Sequence, residues 1–210
     1  MRFTGYIFDV EGTLVDSVQQ NLLSLHESLS DFGIGVPHEV LQLYSGLDGD
    51  QTLQLVAPAL AQADRKRVLE AQGKLYQRKY LPGVKAFTGV RDVFDALTRD
   101  GGRIALATGC KGDPLRHYRS LLAADDLIDS VACGDDVEHG KPDPRLVGLA
   151  LRKLEVPAGQ AIMIGDTPYD AEAARGAGTA AAGLLTGGFP REALTEAGCF
   201  AVAADRKSVV

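Results

Sequence analysis

The feature that most constrains the fold is an alternation of short apolar segments with helical segments after residue 83. Apolar segments typical of buried strands occur at 103–108, 131–133, 161–164 and 180–185. Segments whose apolar residues recur at helical spacing separate them, at 90–99, 115–123, 144–154 and 171–175. Strands that are apolar on both faces and alternate with helices form a parallel sheet covered on both sides. The pattern therefore predicts a doubly wound α/β core.

A further strand precedes this region, and a helical segment follows that strand directly. Tyr6, Ile7 and Phe8 form a short apolar run that ends at Asp9. From Ser17 onward apolar residues recur at helical spacing, which predicts a first helix with Asp16 or Ser17 as its N-cap. Further helices are expected at 39–44, 51–56 and 64–80. We therefore predict a Rossmann-like core of residues 1–14 and 83–210, with a helical cap inserted at residues 15–82.

Composition and charge exclude several classes of partner. The net charge of −6 and the pI near 5.2 disfavour nucleic acid or an anionic membrane as the main partner. No apolar stretch approaches the roughly 18–20 residues that a membrane helix needs. Asp9 interrupts the apolar segment near the N-terminus, so we expect no signal peptide and a cytoplasmic location. Three widely spaced cysteines, an odd number, are expected to be reduced thiols.

Polar residues follow the predicted strands at the positions where a ligand would bind. Asp9 ends the first strand, Thr108 ends the next core strand, and Asp166 follows 161–164. Lys141 lies in the loop after the short strand at 131–133. In doubly wound sheets the ligand crevice lies beyond the carboxyl ends of the strands. These four side chains should therefore converge at one edge of the sheet.

Together, these groups meet the requirements of phosphoryl transfer. A phosphate monoester is a dianion and therefore repels a carboxylate nucleophile. A hard divalent cation held by Asp9 and Asp166 would offset that repulsion and polarise the phosphoryl oxygens. Lys141 would add a positive charge beside the phosphate. The set predicts a phosphatase site with Asp9 as the nucleophile.

The neighbouring groups would bind the phosphate and supply a proton. Thr108 offers a hydroxyl group, and the backbone N–H of Gly109 follows it. Attack by Asp9 would give an aspartyl-phosphate, which water then hydrolyses. Glu11, two residues further along the same loop, would protonate the leaving alkoxide.

Each of these features alone also has a structural explanation. Thr108 could cap the helix that follows it, and residues 140–142 could simply form a helix entrance. Asp166 and Asp170 could cap the helix after the third long strand. Their joint occurrence in this order favours the functional interpretation over separate structural ones.

The same residues carry a resemblance to a known family. Four segments carry it: DVEGTLVDS at 9–17, LATG at 106–109, GKP at 140–142 and GDTPYD at 165–170. In this order they resemble the four motifs of the haloacid dehalogenase (HAD) superfamily, whose first motif is usually D-x-D-G-T-L-x-D-S. A helical insertion directly after the first motif resembles the C1 cap of phosphoglycolate-phosphatase-like and β-phosphoglucomutase-like members. The resemblance covers essentially the whole chain.

The resemblance implies a role for each matching residue. Asp9 would be nucleophile and ligand of Mg²⁺, and Glu11 would be the acid and base, with its backbone carbonyl on the same ion. Asp166 would also bind Mg²⁺. Phosphate binding would fall to Thr108, Gly109 and Lys141, and support of the site to Thr13 and Asp170.

Position 11 departs from the family pattern. Most phosphatases of the superfamily have Asp there, and Glu11 reaches roughly 1.5 Å further. Enolase-phosphatases, whose motif is D-x-E-G-T, resemble this chain at that point, so Glu is compatible with catalysis. The change puts the efficiency and the leaving-group geometry in question.

Three functions follow from this pattern. The leading expectation is magnesium-dependent hydrolysis of a small phosphorylated metabolite, similar to phosphoglycolate or a sugar phosphate, with the cap closing over the site. A phosphomutase of the β-phosphoglucomutase kind is the enzymatic alternative. A non-catalytic HAD-fold binding or regulatory protein, inactivated by the change at position 11, is the third.

Overall fold

The structure is a computed structural model that describes residues 3–204. Its strands are β1 Gly5–Phe8, β2 Val15–Asp16, β3 Lys85–Ala86, β4 Arg103–Ala107, β5 Ser130–Ala132, β6 Ala161–Gly165, β7 Ala180–Leu184 and β8 Ala201–Ala203. Its α-helices are α1 Val18–Asp31, α2 His38–Gln42, α3 Gly49–Val56, α4 Gln62–Leu75, α5 Val90–Arg99, α6 Gly112–Leu122, α7 Arg145–Leu154, α8 Pro168–Gly176 and α9 Arg191–Ala197. A π-helical turn, Tyr76–Tyr80, continues α4.

Six strands form one parallel sheet in the order β5-β4-β1-β6-β7-β8. From β1 the chain moves to β4 and β5 on one side, and it then crosses to β6, β7 and β8 on the other. The connections therefore diverge between β1 and β6, which is the topological switch point of the sheet. The predicted doubly wound α/β fold is confirmed, and its crevice belongs beyond Phe8 and Gly165.

Apolar side chains cover both faces of this sheet. Ile7 and Met163 lie on the face against which α7, α8 and α9 pack. Phe8 points to the opposite face, where its ring centroid lies 4.9 Å from that of Phe94 in α5. Phe8 and Phe94 are fully buried or nearly so. Because Phe8 directly precedes Asp9, this packing fixes the point where the backbone enters the site.

The chain divides into two compact units. One contains residues 1–16 and 85–210 and the other residues 17–84, so each division falls two residues beyond the bounds expected from sequence. The second unit is helical and has its own core, formed by apolar residues of its helices and loops. These are Val18, Leu22, Leu25, Leu29, Val36, Leu41, Leu53 and Val68.

The segments that lead into and out of the helical unit pair with each other. Val15 pairs with Ala86 and Asp16 with Lys85 in an antiparallel ribbon of β2 and β3. This ribbon could not be predicted from the sequence, because each of its strands has only two residues. It belongs to the α/β unit and holds the two ends of the insertion side by side.

Two further details differ from the sequence-based expectations. Ser17 occupies the predicted N-cap position of α1, but its buried hydroxyl makes no capping hydrogen bond. Helix α9 and strand β8 were not predicted, since Ala201–Ala203 is short and two of its three residues are alanine, a weak strand former.

Within residues 3–204 the structure contains no helix that is both long enough and apolar enough to cross a membrane. The three cysteines are free thiols, as expected.

Candidate active site

The first acidic residue of the site follows β1 at the switch point. Phe8 pairs with Leu106 of β4 and with Ile164 of β6, so Asp9 lies between the ends of both neighbours. Its backbone N–H donates to the Ile164 carbonyl at 2.9 Å and extends the ladder by one residue. Asp9 is 4% exposed, and Asp166, which follows β6, is 1% exposed.

A tight loop fixes the residues after Asp9. The backbone N–H groups of Leu14 and Val15 donate to the Val10 carbonyl at 2.8 and 3.0 Å. Gly12 turns the chain with φ of 79°, a left-handed conformation that favours glycine. The side chains of Val10 and Leu14 are fully buried and anchor the loop in the protein interior. The loop is therefore a rigid support for Asp9 and Glu11.

A buried ammonium joins two carboxylates from different motifs. The Lys141 Nζ donates to Asp9 Oδ1 and to Asp170 Oδ1, both at 2.5 Å. Lys141 is 5% exposed, although a lysine is rarely buried without partners. Asp170 accepts at its other oxygen from the Thr167 N–H and hydroxyl, at 3.1 and 2.8 Å. Thr167 and Asp170 form a capping box at the start of α8, so the helix terminus orients Asp170 towards Lys141.

The two carboxylate oxygens of Asp166 differ in their hydrogen bonding. The Thr13 hydroxyl donates to its Oδ1 at 2.8 Å. Its Oδ2 is buried and has no hydrogen-bond partner among the described residues. Carboxylate oxygens of Asp9, Asp166 and Asp170 lie within 4.8 Å of one another. With one ammonium against three carboxylates, the ionised cluster would carry two uncompensated negative charges.

This crowding changes the protonation of the groups involved. Burial raises the pKa of Asp9 to about 7, although the Lys141 ammonium pulls it down. Burial, followed by the charges of Asp9 and Asp170, raises the pKa of Asp166 well above its usual range. Burial alone would lower the pKa of Lys141, but the carboxylates of Asp170 and Asp9 outweigh it and raise that pKa above its usual value. Lys141 is therefore a permanent cation.

The donor set fits a hard divalent cation. Such ions take carboxylate and carbonyl oxygens as ligands. The unpartnered Asp166 Oδ2 and the excess negative charge are what a bound cation would satisfy. The family resemblance implies Asp9, Asp166 and the Glu11 backbone carbonyl as ligands of the ion. The structure also brings the Asp170 side chain into this cluster, where its Oδ1 is held by Lys141.

The predicted phosphate-binding residues lie in the loop after β4. Thr108 is 1% exposed, and its backbone N–H donates to Ala132 of β5. Its hydroxyl accepts from the Cys110 N–H at 3.1 Å. The alternative that Thr108 caps α6 is wrong, since Lys111 occupies the N-cap position of that helix. Space beside Gly109 is open, because a methyl group placed there would meet nothing within 4 Å.

Glu11 has a side-chain partner that the sequence analysis missed. The hydroxyl of Tyr118, in α6, donates to Glu11 Oε1 at 3.1 Å. The sequence analysis predicted a helix here and assigned Tyr118 no role, and the structure buries Tyr118 on α6 together with Leu115 and Leu122. A buried tyrosine hydroxyl normally needs a polar partner, which is the one hint that the sequence contained.

Gly187 was missed as well. It follows β7 in a short 3₁₀ turn, and a Cβ atom at this position would lie 2.2 Å from Asp166 Oδ2. No side chain larger than hydrogen fits there without displacing the carboxylate. Nothing in the sequence around Gly187 indicated this close approach.

The comparisons with known proteins agree with this geometry. The model of the family described as haloacid dehalogenase-like hydrolase matches residues 6–184. The chain belongs to this family. The HAD-like match spans β1 to β7 and includes each of the four motifs.

Two HAD-like relatives and one solved structure illustrate the similarity. A phosphoglycolate phosphatase from Rhodospirillum rubrum is 30% identical, and the alignment covers 97% of this chain and 88% of the relative. The pyrophosphatase PpaX from Bacillus velezensis is 26% identical, with 87% and 83% covered. The crystal structure of a hydrolase from Pseudomonas syringae is 29% identical, with a TM-score of 0.91 and coverage of 98% and 95%.

The raised pKa of Asp9 predicts a specific pH dependence of stability in the metal-free protein. Its pKa is 3.8 in the unfolded chain and about 7 in the folded one, so between these values the folded state holds more protons. The free energy of unfolding therefore falls as the pH rises through this window. Asp9→Asn should reduce that slope and, in EDTA at pH 8, stabilise the protein by roughly 2–4 kcal/mol. Urea denaturation at pH 5 and pH 8 measures both effects.

The matched control is Asp92→Asn, which changes an exposed carboxylate in the same unit. It should leave the pH dependence of wild type intact. If the stability of Asp9→Asn depends on pH as that of wild type does and is no higher at pH 8, burial does not raise the pKa of Asp9 as the structure implies.

The close approach at Gly187 predicts a stability loss on a minimal substitution. Gly187→Ala should cost about 1–3 kcal/mol, because the added methyl group must displace the Asp166 carboxylate or the turn. Gly159→Ala is the control, since a methyl group there meets nothing within 4 Å. Urea denaturation without divalent ions compares the two. Equal stabilities would show that the turn after β7 yields freely.

Proposed function

We propose that the chain is a magnesium-dependent phosphatase that hydrolyses a small phosphate monoester through an aspartyl-phosphate on Asp9. The observation that carries the proposal is the buried cluster in which Lys141 contacts Asp9 and Asp170 while Asp166 lies within reach of both. A structural ion pair needs one carboxylate for each ammonium. Three carboxylates around one ammonium are costly to bury unless a further cation joins them.

Asp9, Asp166 and the backbone carbonyl of Glu11 would hold Mg²⁺, with Asp170 beside them. When bound, the ion would neutralise the excess charge of the cluster and polarise the phosphoryl oxygens. The Thr13 hydroxyl donates to Asp166 Oδ1 and so orients this carboxylate, whose other oxygen has no partner among the described residues. The rest of the chemistry belongs to side chains of the chain itself.

In the first step a carboxylate oxygen of Asp9 attacks the phosphorus atom. The bond between phosphorus and the ester oxygen breaks, and Glu11 transfers its proton to that oxygen as it leaves. Lys141 and the donors of Thr108 and Gly109 bind the phosphoryl oxygens during the transfer. The product is an alcohol and a phosphorylated Asp9.

In the second step water attacks the phosphorus atom of the aspartyl-phosphate. Glu11, now a carboxylate, takes a proton from that water, and the acyl phosphate bond breaks. Asp9 is regenerated as a carboxylate and inorganic phosphate leaves. The proton balance closes because Glu11 ends the cycle protonated, as it began.

The relatives guide the choice of substrate. One is named for phosphoglycolate and another for pyrophosphate, and both are small phosphorylated anions. We propose a substrate of this size, similar to phosphoglycolate or a sugar phosphate. The helical unit, residues 17–84, is proposed to be the C1-type cap that selects it.

Loss of the nucleophile should abolish turnover. Wild type should release phosphate from p-nitrophenyl phosphate only with Mg²⁺, and Asp9→Asn should lower the rate at least about a thousandfold, because an amide cannot attack phosphorus. Glu11→Asp should retain or raise the rate. Colorimetric assay of nitrophenol release measures all three, and a panel with phosphoglycolate, pyrophosphate and sugar phosphates then identifies the substrate. Asp92→Asn serves as the control and should match wild type. An inert wild type on this panel would favour the non-catalytic alternative.

Binding of Mg²⁺ should stabilise the fold independently of turnover. At a concentration 100-fold above its dissociation constant the ion contributes about 2.7 kcal/mol, which raises the melting temperature by several degrees. Asp166→Asn should lose most of this rise, because it removes the carboxylate whose buried Oδ2 is unsatisfied. Differential scanning fluorimetry with EDTA or MgCl₂ measures the shift. A full shift in Asp166→Asn would place the ion elsewhere.

A further inference from the structure

One side chain outside the four motifs contacts the reacting groups. Tyr118 lies in the middle of α6 and is fully buried, and its hydroxyl donates to Glu11 Oε1. The two residues come from distant parts of the chain, since Glu11 follows β1 and α6 follows β4. The contact therefore ties the loop of the predicted acid to the helix that follows the predicted phosphate-binding loop.

The geometry of Tyr118 is that of a rigid support. Tyr118 is fully buried, and Leu115 and Leu122 are buried on the same helix about one turn before and one turn after it. A tyrosine ring has few rotatable bonds, so a packed ring holds its hydroxyl in one position at little entropic cost.

Glu11 needs such a support more than a shorter acid would. Its extra methylene adds one rotatable bond and roughly 1.5 Å of reach. Without a fixed partner, the carboxyl group would spread over several rotamers. A misplacement of about 1 Å of a catalytic group can lower a rate on the order of 100-fold. The Tyr118 hydroxyl gives the longer side chain a partner at Oε1.

We propose that Tyr118 is a positioning residue that holds the Glu11 carboxyl group where it can protonate the leaving oxygen. This inference rests on the proposed phosphatase function. Tyr118 itself contacts neither the phosphate nor the cation in this proposal, and acts only through Glu11. Glu11 and Tyr118 then form one functional pair, in which the phenol compensates for the length of the acid.

The leaving group provides a test that a purely structural role would not pass. Phenyl phosphate and p-nitrophenyl phosphate have the same phosphoryl group and nearly the same shape. Phenol is a much weaker acid than p-nitrophenol, so its departure depends far more on protonation by the enzyme. Because kcat/KM reports the steps up to phosphoryl transfer, it isolates the acid role of Glu11 from its later role as a base.

The variant is Tyr118→Phe, which removes one oxygen atom and keeps the ring. It should lower kcat/KM for phenyl phosphate about tenfold or more, and leave kcat/KM for p-nitrophenyl phosphate within about twofold of wild type. Tyr6→Phe is the matched control, because the Tyr6 hydroxyl donates to the Phe3 carbonyl at 3.2 Å, outside the site. This control should change neither value.

A double-mutant cycle gives a second, independent measurement. In the Glu11→Asp background the shorter acid no longer depends on the phenol, so Tyr118→Phe should then change kcat/KM for phenyl phosphate by less than about twofold. A loss in this background as large as in wild type would mean that Tyr118 acts through the fold and not through Glu11.

Three further outcomes would overturn the inference. Equal losses on both esters would make Tyr118 a structural residue, and no loss on either would make its hydroxyl irrelevant to the acid. In both cases an active wild type and an inactive Asp9→Asn would leave the proposed function standing. A wild type that releases phosphate with Mg²⁺ from neither ester, nor from phosphoglycolate, pyrophosphate or sugar phosphates, would overturn the function together with the inference.

Discussion

The arrangement of the site depends on one buried ammonium. Lys141 contacts Asp9 and Asp170, and without it three carboxylates would repel one another inside the protein. Removing the ammonium would leave these charges buried without their cation, a loss that typically costs about 3–5 kcal/mol. The fold must therefore bring the third motif against the first and fourth before any chemistry is possible. The ladder of β1 with β6 positions Asp9, and the capping box of α8 positions Asp170, for their contacts with Lys141.

The sheet and the convergence of the site residues at its edge could be predicted from the sequence, because both follow from patterns within short segments. Apolar strands alternating with helices indicated the sheet, and the carboxyl-end rule brought Asp9, Thr108 and Asp166 to one edge. Tyr118 and Gly187 could not be predicted in the same way. Spacing places Tyr118 on an apolar helix face but does not reveal its partner. The role of Gly187 depends on a contact with Asp166 that exists only after the chain has folded.

Glu11 shows why a departure from a motif has to be interpreted together with its surroundings. Compared with aspartate, the glutamate side chain reaches further and has one more rotatable bond, so it can adopt more rotamers. In this chain the added freedom is opposed by a hydroxyl group on a packed ring, contributed by a helix of the same unit. When Glu11 is compared with the corresponding residue of other HAD-like proteins, Tyr118 should be compared with it. The effect of a substitution at position 11 on the rate cannot be estimated without taking Tyr118 into account.

The ribbon of β2 and β3 has a consequence for how the chain tolerates change. Paired strands lie about 5 Å apart, so the two ends of the insertion are as close as the ends of a hairpin turn. The entropy of closing a loop grows only with the logarithm of its length, so the α/β unit bears a long insertion here almost as easily as a short one. Residues 17–84 can therefore lengthen, shorten or be exchanged between relatives while the strand ends keep their places. Changes within this segment therefore need not move the sheet edge at which Asp9 and Asp166 lie.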